Sequence, residues 1–202
     1  MRRSVNTKVH PAVGFTTIEL LVVVAIMLVV VSAAASIFLL VSRTQKRIIA
    51  NQQVQGEVRF ALESMVRDIH VGMVDYGYYQ SIPLVDASGV IQPLQALALR
   101  DASNQPVLYR LNSLNQTLEV SRGQGGTWQP LLSDTVQVSM VRFYIVPAAN
   151  PFVPCSGGSC ATVPNEQPRV TVSLTAQNVP ESGYPTASLW LQTTIVSRAY
   201  RR

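Results

Sequence analysis

The feature that most constrains this chain is an uncharged run of 22 residues, Leu20 to Val41, relieved only by small residues and two serines. As a helix it would extend ~33 Å, enough for the ~30 Å hydrocarbon core of a bilayer. Glu19 stands at the mouth of this run. An ionised carboxylate within lipid costs ~2.5–3.5 kcal/mol on insertion scales, so a lone acid there needs a partner. An ordinary secretory signal has an apolar core of about 7–15 residues and then a small-residue cleavage site. Ser32-Ala33-Ala34-Ala35-Ser36 could supply such a site, yet Ile37 to Val41 still follow it. A plain membrane anchor accounts for the length of the run and leaves Glu19 unexplained.

The residues around that acid carry a resemblance. Gly14-Phe15-Thr16-Thr17-Ile18-Glu19-Leu20-Leu21, behind a basic leader and ahead of the apolar run, resembles the class III signal of type IV pilins and type II secretion pseudopilins. The resemblance implies cleavage by a prepilin peptidase between Gly14 and Phe15, followed by N-methylation of Phe15. It makes Glu19 an assembly residue. Thr17 departs from the pattern, standing where an aliphatic residue is commoner; the glycine, phenylalanine and glutamate are all present. Implied partners are other pilin or pseudopilin subunits, the peptidase and methyltransferase, an inner-membrane assembly platform and the bilayer itself.

Charge fits this reading. The formal net charge of +5 includes Arg2, Arg3 and Lys8, all in the leader, so cleavage after Gly14 would leave +2. The basic balance therefore says little about nucleic acid. Arg43, Lys46 and Arg47 follow the run and match the leader's three cations, so counting charges does not orient the segment. The processing motif implies the leader inside and the C-terminal domain outside: a single-pass inner-membrane protein, later a filament in the periplasm or at the cell surface.

Beyond the run, Val54, Val58, Leu62, Met65 and Ile69 recur at helical spacing, an apolar stripe to lay against a domain. No proline occurs between Pro11 and Pro83, so one helix is expected from Phe15 to Val71, 57 residues and ~85 Å long. Its first half cannot be buried in so small a domain and must use lipid or like helices. Residues 72–93, rich in glycine, proline and tyrosine, read as a connecting loop. Tyr76, Tyr78 and Tyr79 are expected to seal helix against sheet, with a recognition patch as the alternative. From Leu94 the pattern alternates. Strands are expected around Leu97, Val107 to Leu111 and Leu118 to Val120, then over Val136 to Val146, Arg169 to Ala176 and Ser188 to Arg198. A change of face within the fourth places a β-bulge near Val141-Arg142. The expected fold is α+β: a long N-terminal helix, half membrane-facing and half amphipathic, packed on an antiparallel sheet of about six strands. The divisions are 1–14 leader, 15–42 membrane or filament-core half, 43–71 amphipathic half and 72–202 loop and sheet domain. The spacing of Val107-Leu108-Tyr109-Arg110-Leu111 before Leu118 and Arg122 is loosely similar to the PilW-like and J-type minor branch.

Cys155 and Cys160, the two cysteines, flank Ser156-Gly157-Gly158-Ser159. Outside the cytoplasm they read as a disulfide closing a small loop, contributing on the order of 2 kcal/mol, with free thiols as the alternative. No metal is expected, since zinc would need four ligands and the nearest histidine is His70. No cofactor is implied, and no phosphate-binding glycine loop occurs. His70 with Asp68 or Asp75 would be an unsupported catalytic site, and enzymatic activity is not expected. The tail Arg198 to Arg202 is too thin a footprint for nucleic acid and reads as a solvated strand end.

The expected function is thus a structural subunit of a type IV pilus-like filament. A minor pilin fits the 188 residues after the leader and the missing proline, since many major pilins carry a proline in the apolar run. A minor pseudopilin of a type II secretion system is the near alternative. A membrane-anchored extracytoplasmic binding domain is the alternative of another class.

Overall fold

The computed structural model of the chain describes residues 14, 16–152, 166–179 and 186–198. Residues 1–13, Phe15, both cysteines and residues 199–202 lie outside them. The chain divides into two compact units, Met1–Gln45 and Lys46–Arg202. One helix, α1 (Thr17–Val71, 55 residues), contributes to both, and its end falls where the sequence pattern stops.

In the second unit α1 buries Ala50, Val54, Val58, Ala61, Leu62, Met65 and Ile69, which includes every residue of the expected stripe. The outer face carries an exposed Arg59–Glu63 pair, 2.8 Å and one turn apart. The helix ends at Gly72, whose N–H donates to the Asp68 carbonyl at 2.8 Å. A Cβ at position 72 would lie 2.6 Å from that oxygen and 2.7 Å from the Arg100 carbonyl. Glycine is required here because helix end and strand backbone meet.

The β structure forms two antiparallel sheets. The first runs β1 (Met73–Val74), β2 (Ala96–Arg100), β3 (Pro106–Asn112), β4 (Thr117–Arg122) and β5 (Gln129–Pro130), each beside the next. The second holds β6 (Val136–Val146), β7 (Arg169–Asn178) and β8 (Ser188–Val196) in the same sequential order. The six longer strands are those the alternation predicts. They form two sheets rather than one, and β1 and β5 have only two residues each, too few for a period of two to register.

The bulge exists but lies earlier than expected, between Val138 and Met140. Ser139 absorbs the extra residue, so Val136 and Val138 share the buried face with Val141, Phe143 and Ile145. Met140, two residues after Val138 and so in line with it by strand period alone, is only half-buried. The core joins α1 to Leu97, Leu99, Tyr109 and Leu118 of the first sheet and to Val138, Phe143, Val172 and Leu174 of the second.

Two of the three clustered tyrosines form the expected seal. Tyr76 donates to the Pro147 carbonyl at 2.8 Å; the Tyr79 hydroxyl donates to Ala96 O at 3.2 Å and accepts the Ala98 N–H at 2.6 Å. Tyr78 stays 43% exposed, its ring edge-on to Tyr79. Loop 72–93 is therefore tied down at several points and contributes β1.

Candidate functional site

The candidate functional segment is the first part of α1. Between Ile18 and Val41, seventeen large apolar side chains are exposed, from Val41 at 46% to Ile18 at 72%. Each contributes about 1.5–3 kcal/mol when buried, so leaving them all in water forfeits tens of kcal/mol. A whole domain is stable by only ~5–15 kcal/mol. Among the described residues nothing covers this segment. It is long and apolar enough to cross a membrane.

Its polar groups suit that environment. The Ser32 hydroxyl donates to the Val29 carbonyl at 2.8 Å and the Ser36 hydroxyl to the Ser32 carbonyl at 2.9 Å. Thr44 does the same with Leu40 at 3.0 Å. Both serines of the run thus satisfy their donors within the helix and need no water. Together with Ala33, Ala34 and Ala35 they leave a low-relief surface where another helix can approach closely.

Glu19 is exposed, in the first turn of α1. Its backbone N–H donates to the Thr16 hydroxyl at 3.3 Å, and the Leu20 N–H to the Thr16 carbonyl at 3.2 Å. Thr16 is therefore the N-cap and Glu19 stands at the third helical position, the Thr-x-x-Glu spacing of a capping box. The positive end of the helix dipole favours a carboxylate there. Sequence reading passed over this local role, although the spacing was legible. Glu19 thus has a helix-capping function available in addition to any contact with another chain. Gly14 is exposed, with open space where a Cβ would stand. Phe15, which the signal places four residues before Glu19, lies outside the described residues, as do Cys155 and Cys160.

The residues near His70 are engaged structurally. The Asp68 carboxylate accepts from the Tyr109 hydroxyl and from Arg122 Nη2, each at 2.6 Å. Asp75 pairs with Arg100 at 2.9 Å. The His70 carbonyl accepts the Arg198 N–H at 3.3 Å, fastening the end of the second sheet to the helix. Sequence periodicity could not reveal these links, because they join residues far apart in the chain, such as Asp68 with Arg122 and His70 with Arg198.

Comparison of the chain with known protein families, characterised proteins and solved structures finds no match in any of the three. The architecture, a long apolar N-terminal helix whose later part packs on antiparallel sheet, is compatible with a pilin-like subunit and with a membrane-anchored domain.

Proposed function

We propose that this chain is a structural, non-catalytic subunit of a type IV pilus-like filament, specifically a minor pilin. In this reading a prepilin peptidase cuts between Gly14 and Phe15, and the Phe15 amine is methylated. The mature chain waits in the cytoplasmic membrane through Leu20–Val41 with its second unit outside. It then leaves lipid for the filament core. The observation that carries this reading is the apolar segment headed by Glu19, left exposed among the described residues.

The Glu19 carboxylate pairs with the Phe15 amine of a neighbouring subunit and sets the axial step between copies. An α-amino group of pKa ~7.7–8.0 is mostly protonated at neutral pH, so charge pairing is available. The cap at Thr16 sharpens the test. Glu19→Gln keeps a side chain able to complete a capping box but removes the charge, whereas Glu19→Ala removes both. Both variants are expected to insert in the membrane normally and to enter filaments poorly. Normal incorporation of Glu19→Gln would reduce Glu19 to a helix cap and end its role as an assembly charge.

A minor pseudopilin of a type II secretion machine rests on the same residues. Neighbouring genes for secretion or for pilus retraction separate the two.

A further inference from the structure

Among the described residues the strand edges are guarded, with one exception. A bare edge offers unpaired N–H and C=O groups to any passing strand, and proteins blunt such edges by shortening, proline, charge or cover. In the first sheet β1 and β5 are two residues each, and β5 contains Pro130. In the second sheet the outer edge of β6 is covered: Leu94 and Phe143 exchange backbone hydrogen bonds at 2.8 and 3.0 Å, and the Val138 N–H donates to Gln116 O at 2.6 Å. β8 closes the other side of that sheet. It runs nine residues, pairs with β7 alone among the described strands, and contains no charge, proline or glycine. Among the described residues nothing hydrogen-bonds to its outer edge.

The side chains of β8 also look unfinished. On the inner face Leu189 and Leu191 are only partly buried, while their partners on β7, Ala176 and Leu174, are fully buried. On the outer face Trp190 is 62% exposed and Val196 42%. An additional strand would cover both faces at once.

We propose that the outer edge of β8 is an interface, and that its occupant is β8 of a second copy, paired antiparallel. The strand is its own complement. The register that uses all nine residues is centred on Gln192, which faces Gln192 of the other copy. It sets Leu189 against Ile195 on the inner face and Trp190 against Thr194 on the outer face, with no charge buried or opposed. Two three-stranded sheets then become one of six. A two-fold contact of this kind closes on itself and cannot propagate. It therefore pairs copies outside the repeating filament contacts, and it does not depend on the filament assignment.

The test uses the full-length chain in native membranes, with Cys155 and Cys160 replaced by serine and single cysteines introduced on β8. Gln192→Cys should give a disulfide-linked dimer on mild oxidation. Trp190→Cys alone should not, because its two copies would sit ~13 Å apart. Co-expressed Trp190→Cys and Thr194→Cys chains should cross-link to each other. Absence of the Gln192→Cys dimer, equal dimer from every exposed position including Leu114→Cys, or a linked species of another mass would overturn the proposal. A second measurement keeps both native cysteines. Two differently tagged Gln192→Lys chains should co-purify several-fold less than wild type, because like charges then stand opposite. A Gln192→Lys chain with a Gln192→Glu chain should recover co-purification. Undiminished pairing of the lysine variants would equally overturn the β8 interface.

Discussion

The Tyr109 hydroxyl donates to Asp68 Oδ2 at 2.6 Å, joining the middle of β3 to the last turns of α1. Arg122 of β4 donates to the same oxygen at 2.6 Å, so a single carboxylate ties helix, β3 and β4 together. Tyr109 is fully buried and Asp68 largely so. A hydrogen bond to a charged group contributes about 1.5–3 kcal/mol. Tyr109→Phe should lower the unfolding free energy of the second unit by about that amount, with the denaturant slope unchanged. Urea unfolding followed by tryptophan fluorescence checks it, and a loss below about 0.5 kcal/mol would mean that the bond carries no stability.

High pH should unfold the domain. Burial raises the ionisation of Tyr76, Tyr79 and Tyr109 well above the ordinary tyrosine range, and the Asp68 carboxylate raises Tyr109 further. In the unfolded chain these tyrosines ionise near pH 10. The folded state therefore binds more protons above that pH, and the stability they contribute is full below pH ~10 and lost as pH rises. The slope is about 1.4 kcal/mol per pH unit for each tyrosine still protonated in the fold. Tyrosinate absorbance and circular dichroism should report ionisation of these three together with loss of structure. Full tyrosinate absorbance while the native spectrum persists would contradict it.

Two glycines on or beside α1 should respond in opposite directions. At Gly72 a methyl group would meet two backbone oxygens within 2.7 Å, and Gly72→Ala should cost about 1–3 kcal/mol. At Gly56, inside the helix, an added Cβ meets nothing within 4 Å. Gly56→Ala should stabilise by about 0.8–1.0 kcal/mol through helix propensity alone. Thermal melts of the pair check both signs.

The sequence carried the helix and the longer strands well, because each is a long periodic signal. Val54 to Ile69 repeats at 3.6, and Val107, Tyr109 and Leu111 repeat at 2. The division into two sheets was not legible, since pairing is set by contacts across the chain. The bulge was misplaced by about two residues because Met140 is apolar and its alternation with Val138 looked unbroken. At the N-terminus the acid was obvious and its cap was not: Thr16 was read as part of a processing signal rather than as a hydrogen-bond acceptor. The bare edge of β8 is invisible in sequence, where Ser188 to Val196 looks like any half-buried strand.

Processing offers an independent check on the leader. Gly14→Ala should slow removal of residues 1–14, so that a larger precursor accumulates in membranes on a gel. A normal mature size in this variant would remove the prepilin-peptidase reading while leaving the membrane segment in place.

The most direct measurement is the N-terminal residue of the mature chain, read by mass spectrometry of protein recovered from membranes. The filament account predicts a chain that begins at N-methylated Phe15 and keeps the whole apolar run. A chain still beginning at Met1, or one beginning after Ala33 or later, would contradict it.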